Sequence, residues 1–135
     1  MLVEQPTYLG ALQAFAAYQP RFVEVATDDD GIVPEALDEQ LKSLRTRLLL
    51  YTIPTFQNPT GRTLPLHRRR QLLEVTRRHG VMVIEDGPHN DLRFRGESIP
   101  TLFELALDEV ADPDKINVVM LGTFSKVLTP GLRDA

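Results

Sequence analysis

Apolar positions along the chain follow two alternating periods. Leu9, Leu12 and Ala16 recur at helical spacing after Pro6 and Thr7, and Pro20 ends that segment. Phe22, Val23 and Val25 then crowd into residues 21–26, a short strand that stops at Asp28, Asp29, Asp30 and Gly31. Pro34 suits a first helical turn, and Leu37, Leu41 and Leu44 follow at i, i+4 and i+7. Residues 48–53, Leu-Leu-Leu-Tyr-Thr-Ile, are apolar almost without interruption, which predicts a strand covered on both faces.

The order of elements then repeats. A turn-rich segment, Gln57-Asn58-Pro59-Thr60-Gly61, leads into a predicted helix over about 64–79 that Gly80 ends. Residues 81–84 form a second apolar strand running into Glu85 and Asp86, and after a looser stretch residues 116–121 form a third, ending in Gly122-Thr123-Phe124-Ser125-Lys126. Helices of this length between apolar strands predict an α/β fold with a mostly parallel sheet in a three-layer αβα arrangement. Ligands of such sheets gather beyond the carboxyl ends of the strands. Asn58, Asp86 and Lys126 are the polar groups that follow the three strands.

Composition narrows the reading without directing it. The chain has 135 residues, enough for one domain with a core, and no internal repeat or low-complexity linker. A formal net charge of −4 gives no general reason to bind nucleic acid or an anionic membrane. The absence of cysteine removes disulfides, thiolate metal sites and a cysteine nucleophile. No apolar run approaches the roughly 20 residues a bilayer span needs. Met1 to Pro6 lack the basic and apolar regions of a signal peptide, so a cytoplasmic protein is expected. Both ends are abrupt, which reads as one partial domain over residues 1–135, truncated on each side.

Each candidate group has an ordinary alternative. Lys126, beside Thr123 and Ser125, reads either as a desolvated amine able to form a Schiff base or as a solvated loop lysine. Asp86 reads as a partner for a cation or as a turn residue, and Asn58 as a ligand or a backbone cap. The arginine-rich helix, with Arg68, Arg69, Arg70, Arg77 and Arg78, offers phosphate contacts. However, Leu66, Leu72, Leu73 and Val75 give it an apolar side, so the arginines are expected on a solvated face. His67 and His79 lack ligand spacing, are expected at the surface, and leave no metal site predicted.

In combination the residues are more specific. Asn58-Pro59-Thr60-Gly61, then Asp86, then Gly122-Thr123-Phe124-Ser125-Lys126 and Pro130-Gly131-Leu132-Arg133 resemble the fold-type I aminotransferases. The similarity is greatest to the class I/II branch with aminoadipate, kynurenine and aromatic aminotransferases, and it extends over essentially the whole chain. It implies the middle of the large, cofactor-binding domain, with pyridoxal 5′-phosphate as cofactor and an amino acid and a 2-oxo acid as substrates. By that resemblance, Lys126 would form the Schiff base and act as the acid/base. Asp86 would keep the pyridine nitrogen protonated. Asn58 would bond the ring hydroxyl oxygen, and Tyr8 would stack on the ring. Ser125 and Arg133 would grip the phosphate, with Thr123 assisting.

One position departs from the family pattern. His89 stands three residues after Asp86, where a tyrosine is usual; an imidazole can donate the same hydrogen bond but titrates near neutrality. The glycine- and serine-containing phosphate loop upstream and the substrate-binding arginine downstream are missing, so little catalysis is expected of these residues alone. The resemblance also implies a homodimeric parent. Two rival readings are the effector domain of an aminotransferase-like transcription regulator and a non-functional truncated product. The asparagine at position 58 favours the enzyme, because regulators often carry a bulky apolar residue there.

Overall fold

The computed structural model describes residues 1–44, 48–110 and 112–129. Its elements run β1 (Leu2–Glu4), α1 (Leu9–Ala16), β2 (Val23–Val25), β3 (Thr27–Asp28), β4 (Gly31–Ile32), α2 (Pro34–Ser43), β5 (Leu49–Thr52), α3 (Leu66–Arg78), β6 (Met82–Asp86), α4 (Leu102–Glu109), β7 (Val118–Leu121) and α5 (Phe124–Val127). Five strands form one sheet in the order β2-β1-β5-β6-β7, and every pairing is parallel. β3 and β4 make a small antiparallel hairpin apart from it.

Strand alternation sends side chains to two cores. Leu2, Leu50, Val83 and Val118 stand in register across four strands, and they pack with Leu37 and Leu41 of α2, Leu72 and Leu73 of α3, and Leu102 of α4. Val3 and Tyr51, one residue along, face the other way and meet Ala11 of α1. Helices therefore cover both faces, as the apolar runs predict. Burying each such leucine contributes about 1.5–3 kcal/mol.

The helix ends follow local chemistry. α3 stops in a Schellman turn: Val81 N–H donates to the Thr76 carbonyl at 2.8 Å and Gly80 N–H to that of Arg77 at 3.1 Å. Gly80 takes φ 65°, the left-handed value the turn requires. α4 lies in the stretch that reads as loose. Its start is a capping box, in which the Thr101 hydroxyl accepts the Glu104 N–H and the Glu104 carboxylate accepts the Thr101 N–H.

Three expectations need correction. Arg69 is not on a solvated face: it is 0% exposed and bonds four backbone or hydroxyl oxygens, because its turn of α3 faces the packed loops rather than solvent. His79 is half-buried, with Nε2 2.8 Å from Asp38 Oδ1, while His67 is exposed as expected. The third strand is buried only at Val118; Val119, Met120 and Leu121 are exposed, since β7 is the sheet's outer strand.

Candidate active site

The carboxyl ends of β5, β6 and β7 lie side by side. Register pairs Thr52 with Glu85 and Asp86 with Leu121, so Asp86 ends β6 one strand away from Gly122 and Thr123. The Gly87 N–H ties the two strand ends by donating to the Leu121 carbonyl at 2.9 Å.

Asp86 is half-buried, and its Oδ2 accepts the Tyr51 hydroxyl at 2.5 Å. Tyr51 is 1% exposed, and Phe15 meets its ring edge-on with centroids 5.5 Å apart. Burial holds the Tyr51 hydroxyl far above its ordinary range, and the bond to Asp86 and the charges of Asp86, Glu4 and Tyr8 push the same way. Tyr51 thus joins the end of β6 to the core under α1, where it packs with Ala11, Leu12 and Phe15. Tyr8 itself is 42% exposed at the N-cap of α1. Its ring lies over Gly10, where a Cβ would stand 2.5 Å from its hydroxyl, so only glycine permits this placement.

The turn after β5 carries Asn58. Gln57 N–H donates to the Arg62 carbonyl at 2.8 Å, and Gly61, at φ 72°, returns its N–H to the Gln57 carbonyl at 2.5 Å. Asn58 is exposed at the tip, and its bond to Pro59 is cis.

Beyond β7, Thr123 caps α5 by accepting the Ser125 N–H at 3.1 Å. Ser125 is half-buried and Lys126 exposed. Among the described residues, the Lys126 amine has no hydrogen-bond or ion-pair partner. His89 is half-buried, and its Nδ1 is buried without a partner. Arg133 lies outside the described residues. The fold therefore brings Asp86, Thr123, Ser125 and Lys126 to neighbouring strand ends, bonds Asp86 to Tyr51, and puts Asn58 on the adjoining loop.

Sequence reasoning missed the polar groups beneath these residues. Glu85 is buried, and its two oxygens accept the Leu102 and Phe103 N–H groups at 3.0 and 2.9 Å, anchoring the start of α4. Burial raises its pKa, against those two bonds and the nearby Arg69. Glu4, at the end of β1, is buried too, with Oε2 accepting the Ile53 N–H at 3.0 Å. Burial pushes its pKa up to about 7, and the bonds from Ile53 and Gln57 oppose the shift. The only sequence signal for either was an acidic residue closing an apolar run.

The raised Glu4 value fixes the sign of a pH effect. The folded state holds this proton more tightly than the unfolded chain. Its contribution is therefore complete below about pH 4.5 and is lost as pH rises through about 7. The expected loss is on the order of 3 kcal/mol across that window. Between those pH values the unfolding free energy from urea titration should fall by this much more in the protein than in Glu4→Gln; equal changes would show that Glu4 titrates normally.

Cavities accord with the carboxyl edge only in part. One of about 350 Å³ opens beside Gly122 and Thr123, reaching Thr55, Gly87, Asn90 and Arg93. A larger one, about 680 Å³, lies at the amino ends of β1 and β5 and is lined by Met1, Phe15, Tyr18, Leu44 and Leu48. Among the described residues in that lining, Arg21 carries the one charged side chain, and there is no carboxylate, histidine or lysine.

A parallel sheet with a lysine, a carboxylate and a glycine-bearing turn at its carboxyl edge defines an α/β protein of the class in which ligands gather beyond the strand ends. The model of the family Aminotransferase class I and II matches residues 1–133, and the chain belongs to that family. It is 47% identical over 135 residues to the 2-aminoadipate transaminase of Thermus thermophilus, covering 100% of this chain and 33% of that protein. Aromatic-amino-acid aminotransferase 1 of Thermococcus litoralis is 43% identical over 137 residues, covering 98% and 31%. Among solved structures, the α-aminoadipate aminotransferase of Thermus thermophilus, complexed with N-(5′-phosphopyridoxyl)-L-leucine, superposes with a TM-score of 0.88 at 47% identity. That match covers 98% of this chain and 33% of the other. The kynurenine aminotransferase of Pyrococcus horikoshii, in complex with PMP, gives 0.86 at 41% identity, covering 96% and 31%. The chain thus spans about a third of the length of the relatives it matches.

The residues present suit a pyridoxal phosphate. The amine of Lys126 is unpaired among the described residues, His89 Nδ1 is a buried polar atom without a partner, and Asp86 supplies a carboxylate for a cationic ring nitrogen.

Proposed function

We propose that this chain is the middle of the cofactor-binding domain of an enzyme that transfers amino groups between an amino acid and a 2-oxo acid, using pyridoxal 5′-phosphate. The observation that carries the reading is the placing of Asp86 and the Thr123–Lys126 segment at adjacent parallel strand ends, in a chain of this family. When bound, the cofactor supplies an electron sink for the substrate α-carbon.

The chain's own groups divide the remaining work. Lys126 would hold the cofactor through its amine and would carry the substrate proton. Asp86 holds a proton on the ring nitrogen by countercharge, and the Tyr51 hydroxyl fixes which carboxylate oxygen stays free for it. Asn58 would donate to the ring hydroxyl oxygen and Tyr8 would cover the ring face. His89 offers its ring N–H where relatives of this type carry a tyrosine. Thr123, Ser125 and Arg133 hold the phosphate.

The longer protein is proposed to be a cytoplasmic homodimer. These residues alone are expected to show little turnover. The exposed Val119, Met120 and Leu121 on an outer strand, and the share of relatives that the chain spans, support that reading.

The test is to mix the chain with pyridoxal phosphate, reduce with borohydride and map the modified lysine by peptide mass spectrometry. A single stoichiometric tag on Lys126 is the expected result. No tag, or tags spread over Lys42 and Lys115 as well, would refute a formed site.

A further inference from the structure

Gln57 precedes Asn58, is 6% exposed, and uses its whole side-chain amide. Its Oε1 accepts both the Thr60 N–H at 2.9 Å and the Thr60 hydroxyl at 2.6 Å. Its Nε2 donates to the Pro6 carbonyl at 2.8 Å and, at 3.4 Å, to Glu4 Oε2. Two oxygens of the segment leading to Tyr8 are thereby tied to the turn that carries Asn58. The Asn58 side chain, by contrast, is exposed and has no hydrogen bond to the described residues. Its direction is set by the backbone of its turn alone, and that backbone is held by Gln57.

We propose that Gln57 is a positioning residue: by joining Thr60 in its own turn to Pro6 and Glu4, it fixes the direction from which Asn58 meets the cofactor ring. This rests on the cofactor reading above. No other residue type supplies the same set. Leucine offers neither donors nor acceptors to Thr60, Pro6 and Glu4, and glutamate places a second carboxylate against Glu4. Leaving these partners unmatched loosens the turn, and an unfixed Asn58 contributes less to binding.

The probe is pyridoxal phosphate, titrated into the chain and into Gln57→Ala, Asn58→Ala and the double variant, with Lys126 tagging as the stoichiometric check. Gln57→Ala is expected to weaken binding about tenfold in the parent sequence but less than about threefold in the Asn58→Ala background, because its effect passes through Asn58. In the cofactor-free chain, hydrogen exchange at the Thr60 and Gly61 amides should quicken in Gln57→Ala. Equal losses in both backgrounds, or unchanged affinity where the parent chain is tagged on Lys126, would overturn the assignment. A parent chain with no Lys126 tag refutes the cofactor reading instead. Unchanged exchange at Thr60 and Gly61 would then also refute the hold of Gln57 on the turn.

Discussion

Arg69→Met is expected to cost about 3–5 kcal/mol of folding stability, the range for removing a buried, hydrogen-bonded charge beside a buried carboxylate. The guanidinium is wholly buried and donates to the Leu64, Pro54 and Pro100 carbonyls and to the Thr55 hydroxyl at 2.8–3.0 Å. Methionine keeps much of the apolar stem but strands those oxygens and leaves Glu85 without its positive neighbour. Burial already lowers the Arg69 pKa to about 10, opposed by Glu85, so the group is still charged at neutral pH. Arg69→Lys retains the charge and loses the planar fork, and should fall between the two. Urea unfolding midpoints test the order. A Met variant within about 1 kcal/mol of the parent would show that the network is dispensable.

This residue also shows where the sequence stops being legible. Within Arg68-Arg69-Arg70, nothing in composition separates the middle arginine from its neighbours. The difference arises from α3's rotation: Arg70 is exposed, Arg68 pairs with Asp28 at the margin, and Arg69 points under the loops at 54–55 and 100. The apolar strands β5 and β6 and the Gly80 stop were readable because their signals are local, a run of large side chains or a left-handed turn. β1 escaped because it has only three residues, Leu2–Glu4, and closes on a carboxylate that reads as polar. α4 was passed over as a loose stretch, although its Thr101 and Glu104 capping box is a local signal. The position of Asn58, Asp86 and Lys126 beyond the ends of strands was readable from the apolar runs before them. Tyr51, Gln57 and Glu4 were not readable, since their roles depend on partners 35, 51 and 49 residues away.

Lys126→Ala in the longer protein should abolish the borohydride tag and lower turnover at least about 10⁴-fold, some 5 kcal/mol of barrier. On the proposed reading both the covalent anchor and the proton carrier are then missing, and among the described residues the two other lysines are held elsewhere. Lys42 lies on α2, held by Asp38 and Glu39, and Lys115 is paired with Asp112. Arginine would not restore function, because a guanidinium stays protonated and does not condense with an aldehyde. Asp86→Asn separates the two parts of the reading. It keeps the shape and an oxygen for the Tyr51 hydroxyl but loses the charge proposed to keep the ring nitrogen protonated. The Lys126 tag should therefore persist while turnover falls by about 10²-fold or more. If Asp86→Asn lost the tag as completely as Lys126→Ala, Asp86 would be holding the site together rather than tuning the ring. If Lys126→Ala kept its turnover, the amine at the end of β7 would have no part in the chemistry.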